Sequence, residues 1–432
     1  MDQKELNATA FVNPYLCVIK RAMTRKEYFF IILILGALAT ISPFSIDMYL
    51  PGFPAIATDL STTIDQVQLS LTSYFIGIAV GQLLYGPLLD RFGRKIPLYI
   101  GLVIYVFASI GCAFTLSVHS LIAMRFLQAL GGCVGMVAAQ TLVRDLFPIN
   151  KTAQAFSMIT LVIAISPMIA PTVGGYVTAA FGWHWVFIIL AGITTMIITA
   201  VYFYLPKGKS PDTSLSLRPK AVLSSFHVVI KHPQFFVYTI AGGLATAAPF
   251  AYIAGSPDVF MNIYKVTEQQ YGWIFAILAC AMIGSTQLNH FLLKRFTSER
   301  IIKVALLYQG ITGLVLVSGT LYNGFGLFSL LALMFIFLTG QGLIGPNTTA
   351  LSLAPFAKHT GSAAALLGSW RMGAGAIISA LVSFLHNNTA LPMVGMMAIC
   401  AWVSLVILFI GNAVVRNRAR KNDVEEEVSL LM

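Results

Sequence analysis

Three charged side chains in this sequence stand in apolar surroundings, and each could do chemistry there. Asp47 lies in Ser42-Pro43-Phe44-Ser45-Ile46-Asp47-Met48-Tyr49-Leu50-Pro51, near the end of the first long apolar run. Taking a carboxylate out of water is costly, and either a proton or a partner relieves the cost. Such a group can carry a proton, or attract a cationic ligand when ionised. The alternative is an acid that has reached the polar interface beside Pro51. Arg125 stands four residues into the fourth run, in Leu121-Ile122-Ala123-Met124-Arg125-Phe126-Leu127-Gln128. Gln128 shares its helical face, at i and i+3. An arginine cannot neutralise itself, so it needs a carboxylate, carbonyls or water, or it must snorkel to the headgroups. Arg371 is about ten residues into the eleventh run. That is too deep for easy snorkelling, so it is expected to face the interior, where a ligand or coupling role is open to it.

Two further segments have spacing worth explaining. The turn Gly86-Pro87-Leu88-Leu89-Asp90-Arg91-Phe92-Gly93-Arg94-Lys95 combines a glycine that permits close helix approach, an acid that can cap a helix N-terminus, a glycine for a tight turn, and basic residues. The fifth run carries Pro167 and Pro171, which break backbone bonds and kink a helix, then Gly174 and Gly175, which let it pack closely on a neighbour. Tyr49, Phe44 and Tyr74 could line an apolar cavity, or be lipid and core contacts. The five cysteines are scattered with no C-x-x-C pair, so neither a metal nor a disulfide framework is expected. No nucleotide-binding P-loop is visible, so ATP is not the expected energy source and no cofactor is implied.

The elements that must position these residues follow from composition. Of 432 residues 57% are hydrophobic and 10% charged, and mean hydropathy is +0.82. A soluble domain carries roughly 25% charged residues, so a soluble enzyme is excluded. Apolar runs fall at 28–50, 68–89, 96–115, 121–143, 156–179, 184–205, 234–256, 273–293, 303–321, 327–349, 362–385 and 391–415. Each is near the roughly 20 residues that a helix needs to cross the hydrocarbon. Only helices or closed barrels satisfy the backbone in lipid, and these runs are too long for barrel strands. The expectation is an all-α integral membrane protein of twelve transmembrane helices in two six-helix halves. Its organisation reads as an N-terminal tail (1–27), a first half (28–205), a central loop (206–233), a second half (234–415) and a C-terminal tail (416–432).

Lys and Arg set the expected orientation. With the N-terminus inside, 24 of the 27 lie in inside segments, Lys265 alone lies outside, and Arg125 and Arg371 lie within runs. This bias puts both termini in the cytoplasm. It also explains the net charge of +11 without a nucleic-acid partner. The loops are too short for a soluble catalytic domain, and the seven histidines are dispersed, so an enzyme is not expected.

Segment 86–98 resembles the signature loop of the major facilitator superfamily, G-x-L-a-D-r-x-G-r-k-x-x-l. Segment 121–132 resembles its R-x-x-Q-x-x-G pattern. Segment 166–175 resembles the G-P-x-x-G-G element of its antiporters, with Ala170 in place of the first glycine. Asp47-Met48-Tyr49-Leu50-Pro51, Gly255-Ser256-Pro257 and Gly345-Pro346-Asn347 are similar to the bicyclomycin/chloramphenicol-resistance branch (Bcr/CflA). The resemblance implies the major facilitator fold and drug:proton antiport by alternating access, across a bacterial inner membrane. The compounds implied are small, amphipathic and of the chloramphenicol or bicyclomycin type. The alternative is a proton-coupled transporter of one specific metabolite on the same fold. Proton coupling is implied for Asp47 and Arg125. The expected substrate cavity has Tyr49, Phe44, Tyr74, Gln128 and Arg371. A conformational gate is implied for Gly86, Asp90, Arg91, Gly93 and Arg94, and an antiporter helix for Pro167, Pro171, Gly174 and Gly175. Ala39 stands where some relatives carry a second acid, so neither cationic drugs nor a two-proton mechanism is implied. The expected partners are a drug-like small molecule, protons and the bilayer, with the protein a monomer.

Overall fold

A computed structural model describes residues 25–206, 208–212, 219–322, 324–356 and 360–431. Most of the expected N-terminal tail, and Cys17 with it, lies outside the described residues. The chain forms α1 (Arg25–Asp47), α2 (Phe53–Asp59), α3 (Ile64–Arg91), α4 (Lys95–Ala113), α5 (Val118–Leu146), α6 (Ile149–Phe181) and α7 (His184–Tyr204). It continues through α8 (Pro219–Ile230), α9 (Pro233–Ala245), α10 (Ala248–Pro257), α11 (Glu268–Leu292), α12 (Ser298–Leu321), α13 (Leu327–Leu353), α14 (Thr360–Phe384) and α15 (Leu391–Leu431). A 3-10 turn spans Leu50–Gly52, and a π-helical turn spans Asp258–Ile263.

Among the described residues twelve stretches are long and apolar enough to cross a bilayer. The protein is therefore a multi-pass membrane protein. Two spans run further than the apolar runs suggest. The first continues through α2 to Asp59, and the seventh through the π turn to Ile263. The 206–233 loop contains α8, and α15 carries helical backbone through most of the segment expected as a tail. Caps written in the sequence start several helices. Ser117 accepts from the Ser120 N–H at the start of α5, and Thr267 with Gln270 forms a capping box on α11.

Helices α1, α3, α4, α5, α6 and α7 pack among themselves, as do α9 to α15. The two sets meet along two principal seams, α3 on α14 and α6 on α11. Large apolar side chains such as Phe107, Leu116, Phe203 and Phe384 stay exposed on the outside, where lipid replaces water as solvent. The residues that could do chemistry sit inside the first set and on the seams.

Candidate functional site

Arg125 is the largest fully buried side chain of the described residues. Helix α5 carries it inward, and the guanidinium lies 4.1 Å from the Tyr74 ring centroid, 4.5 Å from that of Tyr49 and 5.7 Å from that of Phe187. One Nη donates to Gln128 Oε1 (2.6 Å) and the other to the Ser45 carbonyl oxygen (3.1 Å). Gln128 donates onward to Ser109 Oγ (2.7 Å), which donates to the Tyr105 carbonyl. The Tyr105 hydroxyl closes the ring on Ser45 Oγ. The cation is thus held by π faces, a carboxamide and a carbonyl, and among the described residues it forms no ion pair. Tyr49, Tyr74 and Gln128, expected on a cavity wall, instead enclose Arg125 with almost no exposed surface. The physical reason is that a buried guanidinium must spend every acceptor in reach. Phe44 is half-buried against the same core.

Asp47 ends α1 beside this cage and is buried, yet it forms no ion pair with Arg125. Its carboxyl lies within electrostatic reach of the Tyr252 and Tyr271 hydroxyls, in the second helix set. Tyr271 is tied to Ser256 Oγ at 2.8 Å, and Tyr252 stacks on Phe275 with ring centroids 5.1 Å apart. The Leu50–Gly52 turn just after Asp47 packs on α10 and α11 of the second set, while Arg125 is locked in the first. Behind Asp47, Gly174 lets α6 press against the Met48 carbonyl, where any Cβ would clash.

The three charged side chains that the sequence places in apolar surroundings include one acid, Asp47, and the structure adds a second. Asp258 is equally buried, in the π turn that extends the seventh span. One oxygen accepts from Asn262 Nδ2 (2.9 Å), and the other lies 3.5 Å from His386 Nδ1. The spacing of Asp258 and Asn262, four apart across a helical turn, was the available signal. Their polarity instead ended the run at 256.

The α3–α4 turn is built as an ion-pair knot. Gly93 has φ +78°, which returns the chain sharply. Arg94 then reaches Asp90 (2.6 Å) and, on α5, Asp145 (2.7 Å). Asp90 caps no helix N-terminus as expected, because Arg94 occupies it. Its carbonyl accepts from the Asp212 N–H (3.1 Å). Arg91 lies over the Phe92 ring at 6.0 Å. Gly86 does not support a close helix approach, since nothing lies within 4 Å of where a Cβ would be.

On α6, Pro167 and Pro171 sit inside the helix, and the glycines after them make the seams. Gly175 abuts the Glu268 carbonyl of α11. Gly272 on α11 answers, its Cβ position 2.7 Å from Thr172 Cα and 2.9 Å from the Pro171 carbonyl. Thr172 Oγ1 also donates to the Gly272 carbonyl (3.3 Å). The α3–α14 seam carries Thr72–Ser379 (2.9 Å) and Ser383–Gln68 (3.0 Å), neither of which the sequence reading found. Arg371, half-buried on α14, donates through Nη2 to the Gly345 carbonyl (3.1 Å) and Thr348 Oγ1 (3.2 Å).

Comparison with known proteins agrees with this architecture. The chain is 31% identical over 385 residues to a bicyclomycin resistance protein homolog of Haemophilus influenzae, covering 89% of this chain and 96% of that one. It is 28% identical to a chloramphenicol resistance protein of Pseudomonas aeruginosa, covering 93% and 94%. Among solved structures, it resembles the D-xylose-proton symporter (TM-score 0.69, 15% identity, 88% and 97% coverage). It also resembles a bacterial homolog of the human lysosomal transporter Spinster in an inward-facing, unoccupied conformation (TM-score 0.66, 14% identity, 90% and 96% coverage). These two likenesses speak for the fold alone. The family model for the Major Facilitator Superfamily matches residues 35–380, from the first span into the eleventh, so the chain that holds Arg125 in a ring cage within the first of its two helix sets belongs to that superfamily.

Proposed function

We propose that the protein exports small amphipathic drug-like compounds by proton-coupled antiport, through alternating access between its two six-helix halves, 28–205 and 234–415. The observation that carries this reading is Asp47. It is a buried carboxylate with no ion pair among the described residues, at the junction of α1, α6 and the second helix set. Taking up or releasing a proton there changes the charge at the contact between the halves. The names of the similar drug-resistance proteins support the choice of cargo. Arg125 keeps a fixed positive charge inside the first half, and the 86–95 turn ties that half together. Phe44 and Arg371 are the cavity residues of this reading; Tyr49, Tyr74 and Gln128 act through Arg125. The distribution of Lys and Arg supports a bacterial inner membrane location with both termini cytoplasmic, and the protein acts as a monomer.

The test is drug susceptibility of an efflux-deficient bacterium with and without the protein, paired with drug-induced proton movement in proteoliposomes. The wild type raises resistance to chloramphenicol or bicyclomycin. Asp47→Asn reaches the membrane at the same level but neither protects nor moves protons. Full resistance and proton movement in Asp47→Asn would overturn the coupling. Proton movement with a single metabolite, and no drug, would turn the reading to a metabolite transporter.

A further inference from the structure

Two arginines lie at membrane depth, and they are satisfied very differently. Arg125 has three rings and two acceptors around it and no exposed surface. Among the described residues Arg371 is held through Nη2 alone. Its Nε is buried without a partner, as is that of Arg125. Among the described residues no carboxylate pairs with it, and no ring lies under its guanidinium. A permanent charge left this bare within a membrane requires an acceptor from elsewhere.

Its place in the fold says where that acceptor comes from. Gly368, Arg371 and Gly375 follow one another at i, i+3 and i+7, along one face of α14. At Gly368 an added Cβ would strike Gln82 Oε1 of α3, across the seam. At Gly375 it would lie 2.8 Å from the Phe250 ring, which itself meets Phe75 of α3 edge-on at 4.6 Å. Arg371 thus sits between two crossings, on the α14 face turned toward the seam between the halves. It has a fork of donors and some exposed surface, in apolar and aromatic surroundings.

We propose that Arg371 is the docking group for an oxygen-acceptor pole of the substrate, a carboxylate or nitro group carried on an aromatic scaffold. This rests on the export reading above and narrows it: the cargo is acidic or neutral with a strong acceptor, and permanent cations are excluded. Nη1 of the guanidinium donates to the substrate oxygen while Nη2 stays on Gly345 and Thr348, a division that the single ammonium of a lysine does not reproduce.

The test uses three aromatic probes in an efflux-deficient bacterium: nalidixate (a carboxylate), chloramphenicol (a nitro compound) and ethidium (a permanent cation). Wild-type protein, R371K, R371A and R371E are compared at matched membrane levels. The wild type lowers accumulation of nalidixate and chloramphenicol and leaves ethidium unchanged. R371A raises the KM for both acceptor-bearing probes at least about tenfold, more than it lowers the maximal rate. R371K falls between. R371E loses both and gains ethidium export, which also reports that it folds. If R371A does not reach the membrane, the KM of R371K decides, and a value equal to wild type overturns the proposal. Export of ethidium by the wild type, with nalidixate transport intact in R371A, overturns it while leaving drug export standing. No export of any probe removes the export reading and this assignment together.

Discussion

At the scale of single residues, the Arg125 cage is a near balance of large opposing energies. The cation–π contacts and hydrogen bonds are set against the cost of taking the guanidinium out of water. Replacing a buried, satisfied charge by an apolar side chain of similar volume is often neutral for stability, so the arginine is not there to hold the bundle together. Arg125→Met, similar in length and apolar, is expected to keep its thermal midpoint in detergent within about 5 °C of wild type and to abolish transport. Arg125→Lys also loses transport, because one ammonium cannot serve Gln128 and the Ser45 carbonyl together. A midpoint that drops by tens of degrees in Arg125→Met would make the residue a structural pin. Asp47, Arg125 and Arg371 were legible in the sequence because a charge inside an apolar run has few explanations. Their partners were not. The rings around Arg125 come from the link after α1, from α3 and from α7, and nothing in a linear pattern says which of thirty phenylalanines and sixteen tyrosines will converge. Asp258 was missed for the converse reason: its polarity ended the run that in fact contains it.

Among the elements, the α3–α4 turn and the α6–α11 crossing make separate demands. In the turn, Arg94 has two acids of unequal worth. The Asp90 side chain is 51% exposed and that of Asp145 is 12% exposed. An exposed partner contributes about 0.2–1 kcal/mol, whereas removing a buried one strands the other charge. Asp145→Asn is therefore expected to lower turnover far more than Asp90→Asn, measured as initial uptake rates into inverted vesicles. Equal effects would show that Asp90 acts through some contact other than Arg94. The twelve spans and the glycine turn could be read directly, since hydrophobic length and a positive-φ residue are local properties. Asp145 could not, because it is brought to Arg94 by the packing of α5. At the α6–α11 crossing the backbones touch where Gly272 and Gly175 face carbonyls and Cα atoms. Gly272→Ala overpacks a contact that only backbone movement can relieve, at about 1–3 kcal/mol. It should cut transport sharply at normal expression. Gly284→Ala on the same helix meets nothing within 4 Å and should be silent. Equal transport in the two variants would remove the crossing from the mechanism.

Over the whole molecule, the two helix sets are joined unevenly along their length. Gln68–Ser383, Thr72–Ser379, Phe75–Phe250 and the Gly175 and Gly272 contacts lie toward the ends carrying Ile64, Phe181, Glu268 and Phe384. Toward the opposite ends, the knot of Asp90, Arg94 and Asp145 closes within the first set, and Asn347 binds Asn289 (2.6 Å) within the second. Alternating access requires that the first group of contacts break when the second end closes. Two of them are hydrogen bonds between uncharged side chains, each worth about 0.5–1.5 kcal/mol. Losing one of them shifts a two-state population by about two- to twelvefold. The double variant Gln68→Ala, Ser383→Ala should therefore open this end. A single cysteine at Thr72, read with a membrane-impermeant maleimide added from the side of Ile64, should label several-fold faster in the double variant than in its parent. A cysteine at Gly86, near the other end of the same helix, should label more slowly from the side of Arg91 as that end closes. Rates that rise at both positions would mean that the two sets simply loosen. Rates unchanged at both would mean that the aromatic pair and the glycine crossing hold the seam without these hydrogen bonds. Only opposite changes at the two ends of α3 are what a rocking of one half against the other produces.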